Sequence, residues 1–83
     1  MQKRLGFVGI IVENRKEQAA SVNAVLSAFG DIVVGRMGIP YHERDCSVIA
    51  LIVDADTDIV GALTGKLGKI PGVSVKSALS REK

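Results

Sequence analysis

The apolar positions of this chain change period as they run along it. Residues 5–12 are an almost unbroken apolar run, rich in β-branched side chains, with Gly6 and Gly9 inside it. The run is too short for a helix and reads as a first strand. Asn14 follows, with Glu17 three residues on, a loose capping-box spacing that satisfies free amides at a helix start. Ala19, Val22, Leu26 and Phe29 then recur at steps of three and four, one face of an amphipathic helix. Gly30 suits the left-handed position just past its end. A second extended segment covers residues 32–39 and stops at Pro40, which has no amide hydrogen and so belongs at a strand end or sheet edge. Residues 41–45 are polar and read as a turn, and residues 47–53 as a third strand. Asp56 is placed to cap a second helix over 57–69, whose apolar stripe is Ile59, Leu63, Leu67 and Ile70, with Lys66 and Lys69 near its negative end. Pro71-Gly72 makes a turn, residues 73–78 alternate as a last strand, and residues 80–83 are expected to fray.

The order is strand, helix, strand, strand, helix, strand. It predicts an α+β, ferredoxin-like βαββαβ fold, a four-stranded antiparallel sheet with two helices on one face. Strands one and three are then central, and strands two and four lie at the edges. No linker or low-complexity stretch interrupts the pattern, so residues 1–83 are expected to form one domain.

An antiparallel sheet with helices on one side and water on the other alternates apolar and polar residues. The first and third strands do not. Phe7, Val8, Ile10, Ile11 and Val12 point both ways, and Val48, Ala50 and Ile52 oppose Ile49, Leu51 and Val53. One apolar face fits under the helices. The other predicts a second subunit, packed sheet against sheet or edge against edge, the alternative being a monomer with one apolar face open. Each large apolar side chain left wet forgoes about 1.5–3 kcal/mol.

Composition adds to this. Of 83 residues 47% are hydrophobic, which excludes disorder, and the length excludes two domains. Eleven basic and nine acidic residues give a net charge of +2, too even for a dedicated phosphate-backbone binder. Cys46 is the single cysteine, so no intrachain disulfide forms and a reducing cytoplasm is the simplest setting. The apolar runs are far short of the ~20 residues a membrane helix needs. Lys3, Arg4 and the run after them imitate a signal peptide, but the charged and polar residues 13–18 interrupt that pattern, and the segment reads as a strand.

Catalytic chemistry finds no constellation. His42 is the single histidine, and Asp54, Asp56 and Asp58 read as capping and solvating carboxylates. His42 and Cys46 lie four apart, two ligands where a closed zinc site needs four, so metal would require a site shared between subunits. Gly61, Gly65 and Gly68 share one side of the second helix, expected from close backbone packing or from a ligand approaching the backbone. Gly61 to Lys66 lacks the spacing and the Ser or Thr of a phosphate loop. Arg36, inside the second strand, suits either a clamp on a carboxylate or phosphate or, as is commoner for such an arginine, a place at an interface or on the solvent side.

Arg36-Met37-Gly38-Ile39-Pro40, the run Ile59-Val60-Gly61-Ala62-Leu63-Thr64-Gly65-Lys66-Leu67-Gly68 and Gly72-Val73-Ser74-Val75-Lys76 together resemble the small regulators of the iron-only hydrogenase system. The resemblance covers nearly the whole chain. It implies a fold similar to ACT domains and to the C-terminal domain of the nickel-responsive regulator, oligomeric assembly, and a small effector held between subunits. It also implies a sensing or regulatory role, linked to hydrogenase expression or maturation. Nickel-responsive regulators use several histidines with a cysteine, so nickel binding does not carry over to His42 and Cys46. Their DNA-reading segment has no counterpart among the four residues before the first strand, and no direct DNA binding is expected. In ACT domains the effector lies near the turn after strand one, which here is Glu13-Asn14-Arg15 without the glycine common in amino-acid binders.

The expectation is thus a non-enzymatic, cytoplasmic homo-oligomer, dimer or tetramer, with neither cofactor nor metal nor membrane contact. A small-molecule effector would bind between subunits, near Asn14, Arg15 and Arg36. The alternative is a metal- or redox-responsive module that uses His42 and Cys46 from adjacent subunits.

Overall fold

Six elements and two short 3₁₀ turns build the protein, in a computed structural model that describes residues 2–81. They are β1 (Arg4–Glu13), α1 (Arg15–Ala28), β2 (Val33–Tyr41), β3 (Cys46–Ala55), α2 (Thr57–Gly68) and β4 (Val73–Leu79), with 3₁₀ turns at Gly30–Ile32 and His42–Arg44. The sheet order is β2-β3-β1-β4 and every neighbouring pair is antiparallel, the ferredoxin-like arrangement. β1 and β3 are central, and Pro40 sits in edge strand β2.

The period of two in the central strands decides the core. Val8, Ile10 and Val12 of β1 and Ile49, Leu51, Val53 and Ala55 of β3 all point to one side and are buried. There they meet Val22 and Leu26 of α1 and Val60, Leu63 and Leu67 of α2 in one cluster. Both helices therefore cover the same face. Phe29, just past α1, packs on this cluster, and the Lys66 ammonium lies 5.6 Å from its ring centroid, within cation–π range.

Local chemistry explains the joints. The Asp56 carboxylate accepts from the Ile59 amide at 2.9 Å and caps α2. Gly72 has φ +78°, a conformation that disfavours a side chain, and its carbonyl accepts from the Glu13 amide at 2.8 Å. Gly6 is needed for another reason, since a Cβ there would run into the Ala78 carbonyl and Leu79.

Several local expectations are corrected. Asn14 precedes α1, but its side chain makes no capping bond. It takes the left-handed conformation, φ 51°, and its carbonyl accepts from the Glu17 and Gln18 amides. Gly30 is not the left-handed residue after α1, because the chain tightens there into a 3₁₀ turn. The buried line of α2 is Val60, Leu63 and Leu67. Ile59 lies about 100° round the axis from Val60 and is 39% exposed. Ser80 does not fray: its amide donates to the Leu5 carbonyl at 2.7 Å and its carbonyl accepts from Arg4 Nε at 2.6 Å. Residues 82–83 of the predicted tail lie outside the described residues.

The helix glycines do not serve packing within the chain. A Cβ at Gly61 or Gly65 would meet nothing within 4 Å among the described residues, and one at Gly68 only Val75 Cγ1 at an ordinary 3.7 Å. Gly61→Ala and Gly65→Ala should therefore each stabilise the fold by about 0.5–1 kcal/mol. Thermal melts should show this as a rise of several degrees in Tm. Asp56→Ala should move the melt the other way, by about 1 kcal/mol, through loss of the α2 cap.

Candidate functional site

The helices do not cover the sheet evenly. α1 packs on β1, and α2 packs on α1 and β4. On the other flank, every residue of β2 from Arg36 onward is exposed. A groove of about 250 Å³ opens there between α1 and β2.

The two walls follow from the periods of their elements. Arg15, Ala19 and Asn23 repeat at four-residue steps and form the α1 wall. Arg36, Gly38 and Pro40 repeat at two-residue steps on the helix side of β2, opposite Leu51, Ile49 and Ser47 of β3. Gly38 contributes no side chain, so the groove reaches down to Ile49. Val12, Val22 and Ile49 make an apolar floor.

The polar groups sit towards the two ends. β2 runs parallel to β1, so Pro40, Ser47 and the start of α1 with Arg15 share one end. Asn23 lies two turns further along α1, about 12 Å away. There Arg36 Nη2 donates to Asn23 Oδ1 at 2.9 Å. This bond spends one of the five guanidinium N–H donors and fixes the head beside the groove. Among the described residues no carboxylate lines the groove, so its two cations, one towards each end, have no neutralising partner in its lining.

The site residues expected from sequence divide accordingly. Arg15 and Arg36 line one groove. Asn14 is outside it and forms the left-handed joint that turns the chain into α1. Asn23, Gly38 and Ser47 line it as well and were missed by sequence reasoning. Asn23 had a signal, since it stands eight residues after Arg15, on the same face of the helix. Ser47 had none until the β2–β3 register placed it opposite Pro40.

Known proteins share this fold. Residues 4–77 match the TM1266-like family, described as "Iron-only hydrogenase system regulator, putative". The chain belongs to this family. The uncharacterized protein TM1266 from Thermotoga maritima has a similar structure, with a TM-score of 0.92 at 38% sequence identity, over 96% of this chain and all of that one. The ACT domain of the GTP pyrophosphokinase of Chlorobium tepidum aligns over 100% of this chain and 94% of its own, with a TM-score of 0.75 at 22% identity. CPII, a nitrogen regulatory PII-like protein from Thiomonas intermedia bound to ADP, AMP and bicarbonate, reaches a TM-score of 0.54 at 18% identity over 96% of each chain. These last two identify the ACT-like and PII-like ferredoxin fold. No curated protein matches the chain significantly. No helix among the described residues is long and apolar enough to cross a membrane.

In this member of the TM1266-like family, His42 and Cys46 fall at the β2–β3 corner. His42 is exposed in the 3₁₀ turn, and Cys46 is a buried free thiol at the start of β3. Cys46 borders a hollow that Glu13, Tyr41, Arg44 and Ser74 also line, on the sheet face away from the helices. Among the described residues no group of three or more His, Cys, Asp or Glu side chains is arranged to hold a metal ion. Burial should protect the thiol. Cys46 is expected to react with an aromatic disulfide reagent far more slowly in the native protein than in denaturant, and equal rates would contradict the burial described.

Proposed function

We propose that this chain is a non-enzymatic regulatory subunit that acts in the cytoplasm and assembles with copies of itself. Its effector is a small organic anion, bound in the α1–β2 groove. Residues 1–83 act as one domain, and the process it serves is that of its family, the iron-only hydrogenase system. The observation that carries the effector reading is the groove itself, with Arg15 and Arg36 on an apolar floor and no lining carboxylate among the described residues.

The chemistry of the groove narrows the ligand. A guanidinium group at either end favours a carboxylate or phosphate, which its planar fork can grip with paired, charge-assisted hydrogen bonds. The volume of about 250 Å³ lies at the small end of ligand pockets and favours a compact anion over a whole nucleotide. Valine, isoleucine and proline side chains supply contact for an apolar body beside the charged head. Asn23 holds Arg36 in place before the ligand arrives, which lowers the ordering cost of binding. Asn14 contributes by presenting Arg15 at the start of α1.

A thermal-shift screen with small carboxylates, phosphates, amino acids and nucleotides tests this. A compact anion at a hundredfold excess over its Kd should add about 2.7 kcal/mol of stability. Arg36→Ala should weaken that ligand by about 1.5–3 kcal/mol, or roughly tenfold to a hundredfold, and leave the unliganded melt nearly unchanged because Arg36 is exposed. Asn23→Ala should weaken it less. If no anion in the panel moves the melt, or if Arg36→Ala leaves the shift intact, the groove is not an effector site.

A further inference from the structure

The sheet face turned away from the helices holds most of the exposed large apolar residues. Leu5, Phe7 and Ile11 of β1, Met37, Ile39 and Tyr41 of β2, and Val48 and Ile52 of β3 are all there, with Phe7 58% and Met37 61% exposed. The register arranges them in rows. Phe7 lies opposite Ile52, Ile11 opposite Val48, and between these two apolar ridges Gly9 lies opposite Ala50. A furrow floored by the two smallest residues thus crosses the centre of the sheet. Met37, opposite Ala50, closes one end, and Lys76, opposite Gly9, closes the other.

Gly9 is out of place for an isolated chain. It occupies the middle of a central strand, where glycine is a poor residue. Its φ is not positive, and a Cβ there would meet nothing within 4 Å among the described residues. Gly6, three residues earlier, differs, because there a Cβ would collide with β4. The missing side chain at Gly9 leaves open space on the outer face of the sheet, between the two apolar ridges.

We infer that this furrow seats an apolar ridge of a second copy, so that self-association proceeds face to face through the open sheet surface and not by pairing edge strands. The inference rests on the oligomeric part of the function proposed above and names its surface. Three features favour a second copy as occupant. First, the surface is self-complementary. A two-fold axis in the interface plane, running across the strands half a row from the furrow, places a ridge of each copy in the furrow of the other. Second, the area suits a dimer. Four strands of seven to ten residues, at about 3.3 Å per residue and about 4.8 Å between strands, present roughly 600 Å² each, near the lower end of specific interfaces. Third, the charges on this face lie at its margin. Glu13 and Asp54 are at strand ends and Lys76 is on edge strand β4, so an apolar centre carries a polar rim.

Sedimentation velocity across the micromolar range tests this with three variants. The wild type should assemble as a dimer or an even-numbered multiple. Gly9→Arg and Ala50→Arg fill the furrow with a charged side chain that points away from the core. Each should weaken association by at least about tenfold while circular dichroism shows the fold intact. Gly9→Val gives the sharper reading. It should also weaken association by about tenfold, yet raise the melting temperature of the Ala50→Arg monomer, because valine suits a strand better than glycine. If the wild type assembles and the arginine variants assemble equally well, this face is not the contact, and self-association through another surface stands. A wild type that stays monomeric overturns both, and would turn the furrow into a seat for a different protein.

Discussion

Ten consecutive residue pairs lock β1 to β3, and the remainder of the molecule is arranged around that ladder. Because side chains alternate across a strand, a slip of one residue would exchange the two faces of the sheet. Register is strongly specified when one face is apolar and the other polar. Here both faces are apolar, so shape must discriminate as well as polarity. At the centre of both strands the helix side carries branched residues, Val8, Ile10 and Val12 of β1 and Ile49, Leu51 and Val53 of β3. The open side carries Gly9 and Ala50 at its centre, and a slip would put that furrow beneath the helices and leave a void in the core. The same small residues that leave room outside also make the inside unambiguous.

The unequal cover of the sheet has a parallel effect on its helix side. α1 lies on β1, and α2 leans towards β4. β2 is left with its outer stretch exposed, and the groove occupies the uncovered strip. The groove is thus a by-product of architecture. Its chemistry is local: a glycine at 38 deepens it, arginines at 15 and 36 charge it, and Asn23 orients one of them. The chain belongs to the TM1266-like family, and its open sheet face and charged groove are the two surfaces on which the proposed role rests.

Much of the fold was legible in the sequence because it rests on short-range periodicity. The strand order, the edge position of Pro40, the Asp56 cap and the two-sided apolar character of β1 and β3 all follow from spacing that the chain displays directly. What failed depended on tertiary detail. Gly30 looked like a helix stop, but the chain tightened into a 3₁₀ turn without a left-handed residue. Ile59 and Val60 both lie near the apolar side of α2, and only the tilt of the helix on the sheet chooses Val60. In the groove, Arg15 and Arg36 stand out as cations in apolar surroundings, whereas Ser47 becomes part of the site only through strand register. The glycines of α2 misled for the opposite reason, because their shared face meets open space.

The clasp between Arg4, Leu5 and Ser80 has a topological consequence. It ties the beginning of β1 to the end of β4, so the first and last strands of the sheet meet as hydrogen-bonded neighbours. To the sheet, the break between these ends is one more corner, comparable to the tight turn at residues 42–45. A short tether across the clasp, with new ends at the β2–β3 corner, would give a circular permutant with every ladder retained, and far-ultraviolet circular dichroism would report whether the order of the strands along the chain matters to the sheet at all.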